Sequence, residues 1–342
     1  MLAWGMTTKP EQNPAPTPER VFQALWAFHQ TNALRAAIEL GLFTAIGSGV
    51  TTAAALAREL RAQERGVRIL CDFLAIHGFL SKSGANYGLA PVAAAFLDKR
   101  SPTYMGTMAD FLCDAEVQQT AISLARIVRE GGDERALQPN WEGWLRFARS
   151  MTPMMAPQAA FIAERHAGQD GGKVLDIAAG HGLYGLALAR RNPRLEIVAV
   201  DWPAVLEIAK ENAAKAGIGA DRYRVLPGSA LEVDFGSGYR LALLTNILHQ
   251  FDAATCVRLL RRVHAALAPG GKVLALEFVP NEDRISPPMP ASFSMEMLLH
   301  TPAGDAYTWA EYVPMLEQAG FRDAAVEPVP HSPQSLISAV KS

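Results

Sequence analysis

The sequence predicts an α/β protein, a Rossmann-like doubly wound sheet in the C-terminal half preceded by a mostly helical N-terminal domain. Three observations predict it. From Gly171 onward short apolar runs alternate with amphipathic helical patterns, as in parallel strands joined by crossover helices. The run Val174-Leu175-Asp176-Ile177-Ala178-Ala179-Gly180-His181-Gly182-Leu183-Tyr184-Gly185 reads as buried strand, glycine turn and departing helix. Ahead of Gly171 the apolar residues recur at helical spacing, interrupted by one short hairpin pattern.

Residues 1–17 are rich in Pro, Thr and other polar residues and read as a loosely held arm. Residues 18–105 read as a domain of their own. Val21, Leu25, Phe28, Leu34, Ile38 and Leu42 mark one or two helices, Thr51-Thr52-Ala53 caps the next, and Val67 to Ile76 carries another apolar stripe. Phe79-Leu80, a polar turn and Tyr87-Gly88-Leu89 then form a hairpin, giving the order of a winged helix. Arg58, Arg61, Arg65 and Arg68 are interrupted by Glu59, Glu64 and Asp72, so they read as a solvated face rather than a nucleic-acid stripe. The apolar excess over Ala24–Leu42 and Ala93–Leu97 predicts a homodimer through this domain.

Residues 106–170 read as helical, with Trp141, Trp144, Phe147, Met151, Met154 and Met155 as packing or as the wall of a pocket for a flat apolar ligand. Residues 171–342 read as the sheet domain, with strands near Val174, Leu195–Val200, Tyr223–Leu226, Leu241–Ile247 and Val273–Glu277. Ala253–Leu267 reads as a helix stopped by Pro269-Gly270-Gly271, and the last segments as helix, strand and strand.

At 342 residues, 49% hydrophobic and 19% charged, the chain is large enough for two domains, and a net charge of -2 argues against a nucleic-acid partner. The three cysteines are scattered and without histidines at ligand spacing, which predicts neither disulfides nor a metal site. No apolar run reaches membrane-spanning length and no secretory start is present, so a cytoplasmic protein acting on a small molecule is expected.

Gly180 and Gly182 allow close backbone approach to a ligand, and the following helix aims free N–H groups at the same place. Asp201 ends the next strand about 20 residues on, where a carboxylate accepts both ribose hydroxyls. Gly180, Gly182 and Gly185 also fit the dinucleotide fingerprint, so the pattern alone leaves a nicotinamide cofactor open. Asp176 favours S-adenosylmethionine, since it can face an ammonium group but not a pyrophosphate. The length behind the turn also suits a single-sheet transferase better than a dehydrogenase.

Ligands of such sheets bind beyond the carboxyl ends of the strands. His249 lies just past one central strand and Glu277 ends the next. Methyl transfer to a hydroxyl needs a group that removes the proton, a task suited to histidine with a carboxylate to orient it. A histidine satisfied by backbone groups fits the same spacing. His181 is a lesser candidate, and His166 and His264 read as helix-surface residues.

The segments Val174–Gly182, Asp201-Trp202-Pro203, Leu248-His249-Gln250-Phe251-Asp252, Pro269-Gly270-Gly271-Lys272-Val273 and Thr301–Phe321 resemble the S-adenosylmethionine-dependent O-methyltransferases of the plant caffeate and bacterial polyketide or antibiotic type. The resemblance covers nearly the whole chain. It implies a homodimer through a winged-helix dimerisation domain, no metal, His249 as general base and Glu277 as its flanking acid. It further implies Asp201 on the ribose, Gly180 in the cofactor loop and Phe251 beside adenine. Asp176, Ala178, Gly182, Trp202, Gly228, Ser229, Ala230 and Asn246 complete the expected cofactor set, and Trp144, Met151, Met155, Met295, Met297 and His300 the acceptor pocket.

Two positions depart from the family pattern. The second flanking acid of the plant enzymes falls on Ala306, with Asp305 as a neighbour, and Ser229-Ala230 replaces the acid usual after the third strand. The expected reaction is O-methylation of a small aromatic or polyketide-like metabolite. The alternatives are C-methylation, a non-methylating relative of the fold, and a cofactor-sensing winged-helix regulator.

Overall fold

A computed structural model of the chain describes residues 17–133 and 141–342, with the side chain of residue 141 also left out, so all but the last residue of the expected arm lies outside the described residues. The chain divides into two compact units between Gly106 and Thr107.

The first unit contains α1 (Glu19–Glu39), α2 (Leu42–Gly47), α3 (Ala53–Glu59), α4 (Glu64–Ile76), the antiparallel hairpin β1 (Leu80–Ser83) and β2 (Asn86–Leu89), and α5 (Pro91–Phe96). That is the winged-helix order. Thr52 caps α3 by accepting the Ala55 N–H at 3.3 Å. Val67, Cys71 and Leu74 repeat at helical spacing on α4 and meet Leu42, Phe43, Ile46, Leu56 and Tyr87 in one core. Arg58, Arg61, Arg65 and Arg68 are exposed, and Arg68 pairs with Asp72 at 3.0 Å. On α1, Val21, Phe22, Leu25, Trp26 and Phe28 are between 49% and 73% exposed.

The second unit begins with α6 (Ala109–Leu112), α7 (Ala115–Ile122), α8 (Leu124–Glu130), α9 (Trp141–Ser150) and α10 (Thr152–His166). There follow β3 (Gly172–Ile177), α11 (Leu183–Arg191), β4 (Leu195–Asp201), α12 (Pro203–Lys215), β5 (Tyr223–Pro227) and β6 (Tyr239–Thr245). The unit closes with α13 (Ala253–Ala266), β7 (Leu267–Glu277), α14 (Pro288–His300), α15 (Trp309–Gln318), β8 (Phe321–Pro328) and β9 (Ser335–Lys341). The seven strands run in the order β5-β4-β3-β6-β7-β9-β8. They are parallel from β5 to β7, while β9 is antiparallel to both its neighbours.

The central strands are buried on both faces, with Val174, Leu175 and Ile177 on β3 and Leu243 and Leu244 on β6 fully covered, which is why they read as continuous apolar runs. Two strand boundaries differ from the expectation. Asn246 has φ 61, which takes the chain out of the extended conformation and ends β6 at Thr245 rather than Ile247. β7 begins at Leu267, and Pro269-Gly270-Gly271 sits in an irregular stretch of the strand where its register with β6 shifts.

The helices of residues 109–166 pack on the sheet unit itself. Phe111 of α6 meets Phe147 of α9 edge-on at 5.1 Å, and Leu145 and Ala148 of α9 pack on Val205 and Ile208 of α12. α10 packs on α11, and α14 on α7 and α8.

Candidate active site at the carboxyl ends of the strands

β3, β4, β5 and β6 deliver their carboxyl ends to one place, and the turns that follow are tied together there. Asp201 Oδ2 accepts the Gly180 N–H at 2.8 Å, Asp201 Oδ1 accepts the Trp202 N–H at 2.7 Å, and the Asp201 carbonyl accepts the Gly228 N–H at 2.9 Å. Ala178, Gly180, Asp201, Trp202, Gly228, Ser229, Ala230 and Asn246 therefore lie on adjacent loops at one edge of the sheet. Burial raises the Asp201 carboxyl above the usual carboxylate range, against the two backbone N–H groups that favour its charge.

The three glycines of the turn are there for different reasons. A Cβ at Gly180 would meet nothing nearer than the Ala178 carbonyl at 4.0 Å, so its face is open to a ligand. One at Gly182 would stand 2.4 Å from the Tyr223 hydroxyl, and one at Gly185 2.7 Å from Asp176 Oδ2. Only the first leaves ligand space; the other two serve close packing. The residues present fit a nucleoside ligand, because each Asp201 oxygen keeps a lone pair beyond its backbone partner and can accept a ribose hydroxyl above the open turn.

Asp176 corrects one expectation. It has no exposure at all, its Oδ2 accepts the Gly185 N–H at 3.0 Å, and its Oδ1 has no hydrogen-bond partner. A carboxylate sealed beneath the first turn of α11 does not reach a ligand ammonium; it anchors the glycine turn. Burial pushes it up to about 7.

β6 and β7 place His249 and Glu277 together. After β6 a single 3-10 turn, Leu248–Gln250, brings His249 back against the end of β7. His249 Nδ1 and Glu277 Oε2 are 2.5 Å apart, and Glu277 Oε1 accepts the N–H groups of Ile247 at 3.1 Å and Leu248 at 2.8 Å. A carboxylate held by two amides only accepts, so Nδ1 carries the imidazole proton and Nε2 keeps its lone pair. His249 is 5% exposed and Glu277 fully buried.

The ring of Phe293 on α14 packs edge-on against the imidazole at 4.9 Å and stacks on Phe278 at 3.9 Å. Phe293 was not among the residues expected from sequence, although Met297 and His300, four and seven positions on, share its helical stripe. Met295, two positions on, falls on the other side of α14 and is 45% exposed, which removes it from the wall facing His249. Met297 is 7% exposed, and His300 lies 3.7 Å from Glu296. Met151 and Met155 are 4% and 5% exposed and pack with Ala179 and Tyr184 beside the glycine turn, so they line the interior of the unit rather than an open cavity. Trp144 remains 39% exposed on α9.

Asp305 does not stand in for the missing acid. Its carboxylate pairs with Arg284 at 3.0 Å, Arg284 also pairs with Glu311 at 2.5 Å, and Ala306 is completely buried. The same loop presses on the histidine from behind: a Cβ at Gly304 would lie 2.2 Å from the His249 carbonyl. Phe251, half-buried, is held by the Tyr307 hydroxyl, which donates to its carbonyl at 2.6 Å. Asn246 accepts a hydrogen bond from the Gln334 side chain in the loop before β9. His166 and His264 are half-buried rather than on the surface, and each has a buried Nε2 without a hydrogen-bond partner. Among the described residues no cluster of three or more His, Cys, Asp or Glu could hold a metal ion, and no helix is long and apolar enough to cross a membrane.

Residues 147–322 match the sequence model of the O-methyltransferase domain and residues 22–99 that of the O-methyltransferase dimerisation domain. The 3-hydroxy-5-methyl-1-naphthoate 3-O-methyltransferase of Streptomyces sahachiroi is 28% identical over 312 residues, which cover 86% of each chain. A crystal structure described as an O-methyltransferase from Nostoc punctiforme superposes with a TM-score of 0.92 at 45% identity, covering 96% of this chain and 100% of that one. PigF, solved with S-adenosylhomocysteine and known as a Serratia S-adenosyl-L-methionine-dependent methyl transferase, superposes with a TM-score of 0.84 at 25% identity over 95% of this chain and 100% of its own. The sheet order, the glycine turn tied to Asp201 and the agreement over almost the whole chain place the protein in the O-methyltransferase family, as an S-adenosylmethionine-dependent enzyme.

Proposed function

We propose that the chain methylates a hydroxyl group on a flat aromatic or polyketide-like metabolite, with His249 as general base and Glu277 as the carboxylate that orients it. The observation that carries this reading is the buried Nδ1–Oε2 pair, which leaves Nε2 as the proton acceptor at the carboxyl ends of the strands. When bound, S-adenosylmethionine supplies an electrophilic methyl group on a positively charged sulfur. The protein's part is to hold the nucleoside with Asp201 and the Gly180 turn, to receive the hydroxyl proton on Nε2, and to stabilise the resulting imidazolium through Glu277. Gly228, Ser229, Ala230, Asn246, Trp202 and Phe251 border the nucleoside end in this reading. Phe293, Met297 and His300 border the acceptor, and the aromatic face of Phe293 beside the base suits a planar ring.

Incubating the purified protein with S-adenosylmethionine and a panel of phenolic and polycyclic acceptors, with methylated product read by mass, tests the proposal. Product bearing a methyl ether is expected from the native protein and not from His249→Asn. Methylation at carbon, or undiminished turnover by the variant, overturns it.

Phe22, Leu25, Trp26 and Phe28, exposed apolar residues of α1, lie in the segment matched by the dimerisation model, and this supports a homodimer. None of the three cysteines forms a disulfide and two of them are buried, which suits a reducing cytoplasmic setting.

A further inference from the structure

We propose that His181 is a positioning residue that transmits occupancy of the glycine turn to α10 through its hydrogen bond with Met155. The inference rests on the reading that this turn receives the cofactor.

His181 stands between Gly180 and Gly182, at φ 58 and 77, so its side chain follows any adjustment of the turn. Its polar groups are spent on three different helices. Nδ1 accepts the Leu183 N–H at the start of α11 at 3.2 Å. The carbonyl accepts the Asn212 side-chain amide of α12 at 3.0 Å. Nε2 lies 3.3 Å from Met155 Sδ on α10. With Nδ1 accepting, the single proton of a neutral imidazole resides on Nε2 and is donated to the sulfur. Burial keeps the ring neutral by pushing it down to about 4.

The two side chains are 3% and 5% exposed, so water does not compete for this contact. Met151, the N-cap of α10, lies one turn earlier on the same side and shares the core with Ala179. A ligand that fixes the turn therefore removes freedom from α10 as well. Sequence alone offered His181 only as a weak candidate base; its neutral ring and committed nitrogens assign it this other task.

Backbone hydrogen exchange with S-adenosylhomocysteine as the probe tests the coupling. In the native chain the probe slows exchange in residues 178–183 and also, by about fivefold or more, across Thr152–Ala163, a coupling of ordinary size. Met155→Leu conserves volume and removes the acceptor, so it should keep the probe's Kd within about threefold and the protection of the turn while losing the protection of α10. His181→Phe, used in parallel, should likewise lose the protection of α10. Equal α10 protection in the native chain and Met155→Leu overturns the proposal, as does a protected turn beside an unaffected α10 in the native chain. A native chain that does not bind the probe overturns both this inference and the reading it rests on.

Discussion

His249 and Glu277 form an asymmetric pair in which the carboxylate is spoken for on both oxygens while the imidazole uses Nδ1 and keeps the lone pair of Nε2. Replacing His249 by Asn should lower kcat by roughly 10²–10⁴, the usual worth of a positioned base, with the Kd for S-adenosylhomocysteine little changed; calorimetry beside steady-state rates checks both. Asp176 makes a second prediction. Its carboxyl holds its proton to about 7 in the folded chain and releases it near the ordinary carboxylate value of 3.8 when unfolded. The folded state thus binds more protons between these values, so this group's contribution to stability is full below the lower one and is lost as pH rises to the upper. At about 1.4 kcal/mol per pKa unit that is a loss of a few kcal/mol, opposite in sign to that of an ordinary paired carboxylate. Denaturant unfolding of the native chain and Asp176→Asn from about pH 4 to 8 should show the native chain losing ground to the variant as pH rises; a constant difference would refute it. The acid at 176 and the strand around it were readable in the sequence. Its role was not, because which side of a turn a carboxylate faces depends on burial that one chain's letters do not record.

The glycine turn, α14 and the loop behind His249 show what helical and strand periodicity reveals and what it conceals. Gly180 and Gly182 look equivalent as letters, but only Gly180 opens on space, so substitutions should separate. Gly180→Ala should cost the fold about 1–2 kcal/mol for its positive φ and weaken S-adenosylhomocysteine binding more than tenfold. Gly182→Ala adds a collision with the Tyr223 hydroxyl and should lower Tm further, by several degrees in a unit of this size. Thermal scans with and without the ligand distinguish the two. The sequence pointed to Met295, Met297 and His300 but not to a helix around them, because apolar residues surround α14 nearly all round, from Pro288 to His300, leaving no polar face to reveal a stripe; Phe293 was hidden with it. The loop around Ala306 could be located but not interpreted, since only the structure shows Arg284 claiming Asp305 and Gly304 wedged against the histidine's carbonyl.

At the scale of the molecule, the winged-helix order and the parallel core were legible because each depends on the order of short patterned segments rather than on distant contacts. The edge was less so: β9 pairs with β7 and β8, a register that no local pattern specifies. The apolar first half of α1 should join two chains in solution, and Leu25→Glu combined with Phe22→Glu should halve the mass seen by light scattering. The place of β9 has a further consequence. It lies directly beside β7, with Ser335 opposite Glu277, so β7 gains its second flanking strand only after most of the chain has been synthesised. A nascent polypeptide still threaded in the ribosome at Ser335 carries a bare edge on β7 where the finished enzyme has β9. Release of a chain cut at that point should therefore yield aggregates rather than a sluggish transferase.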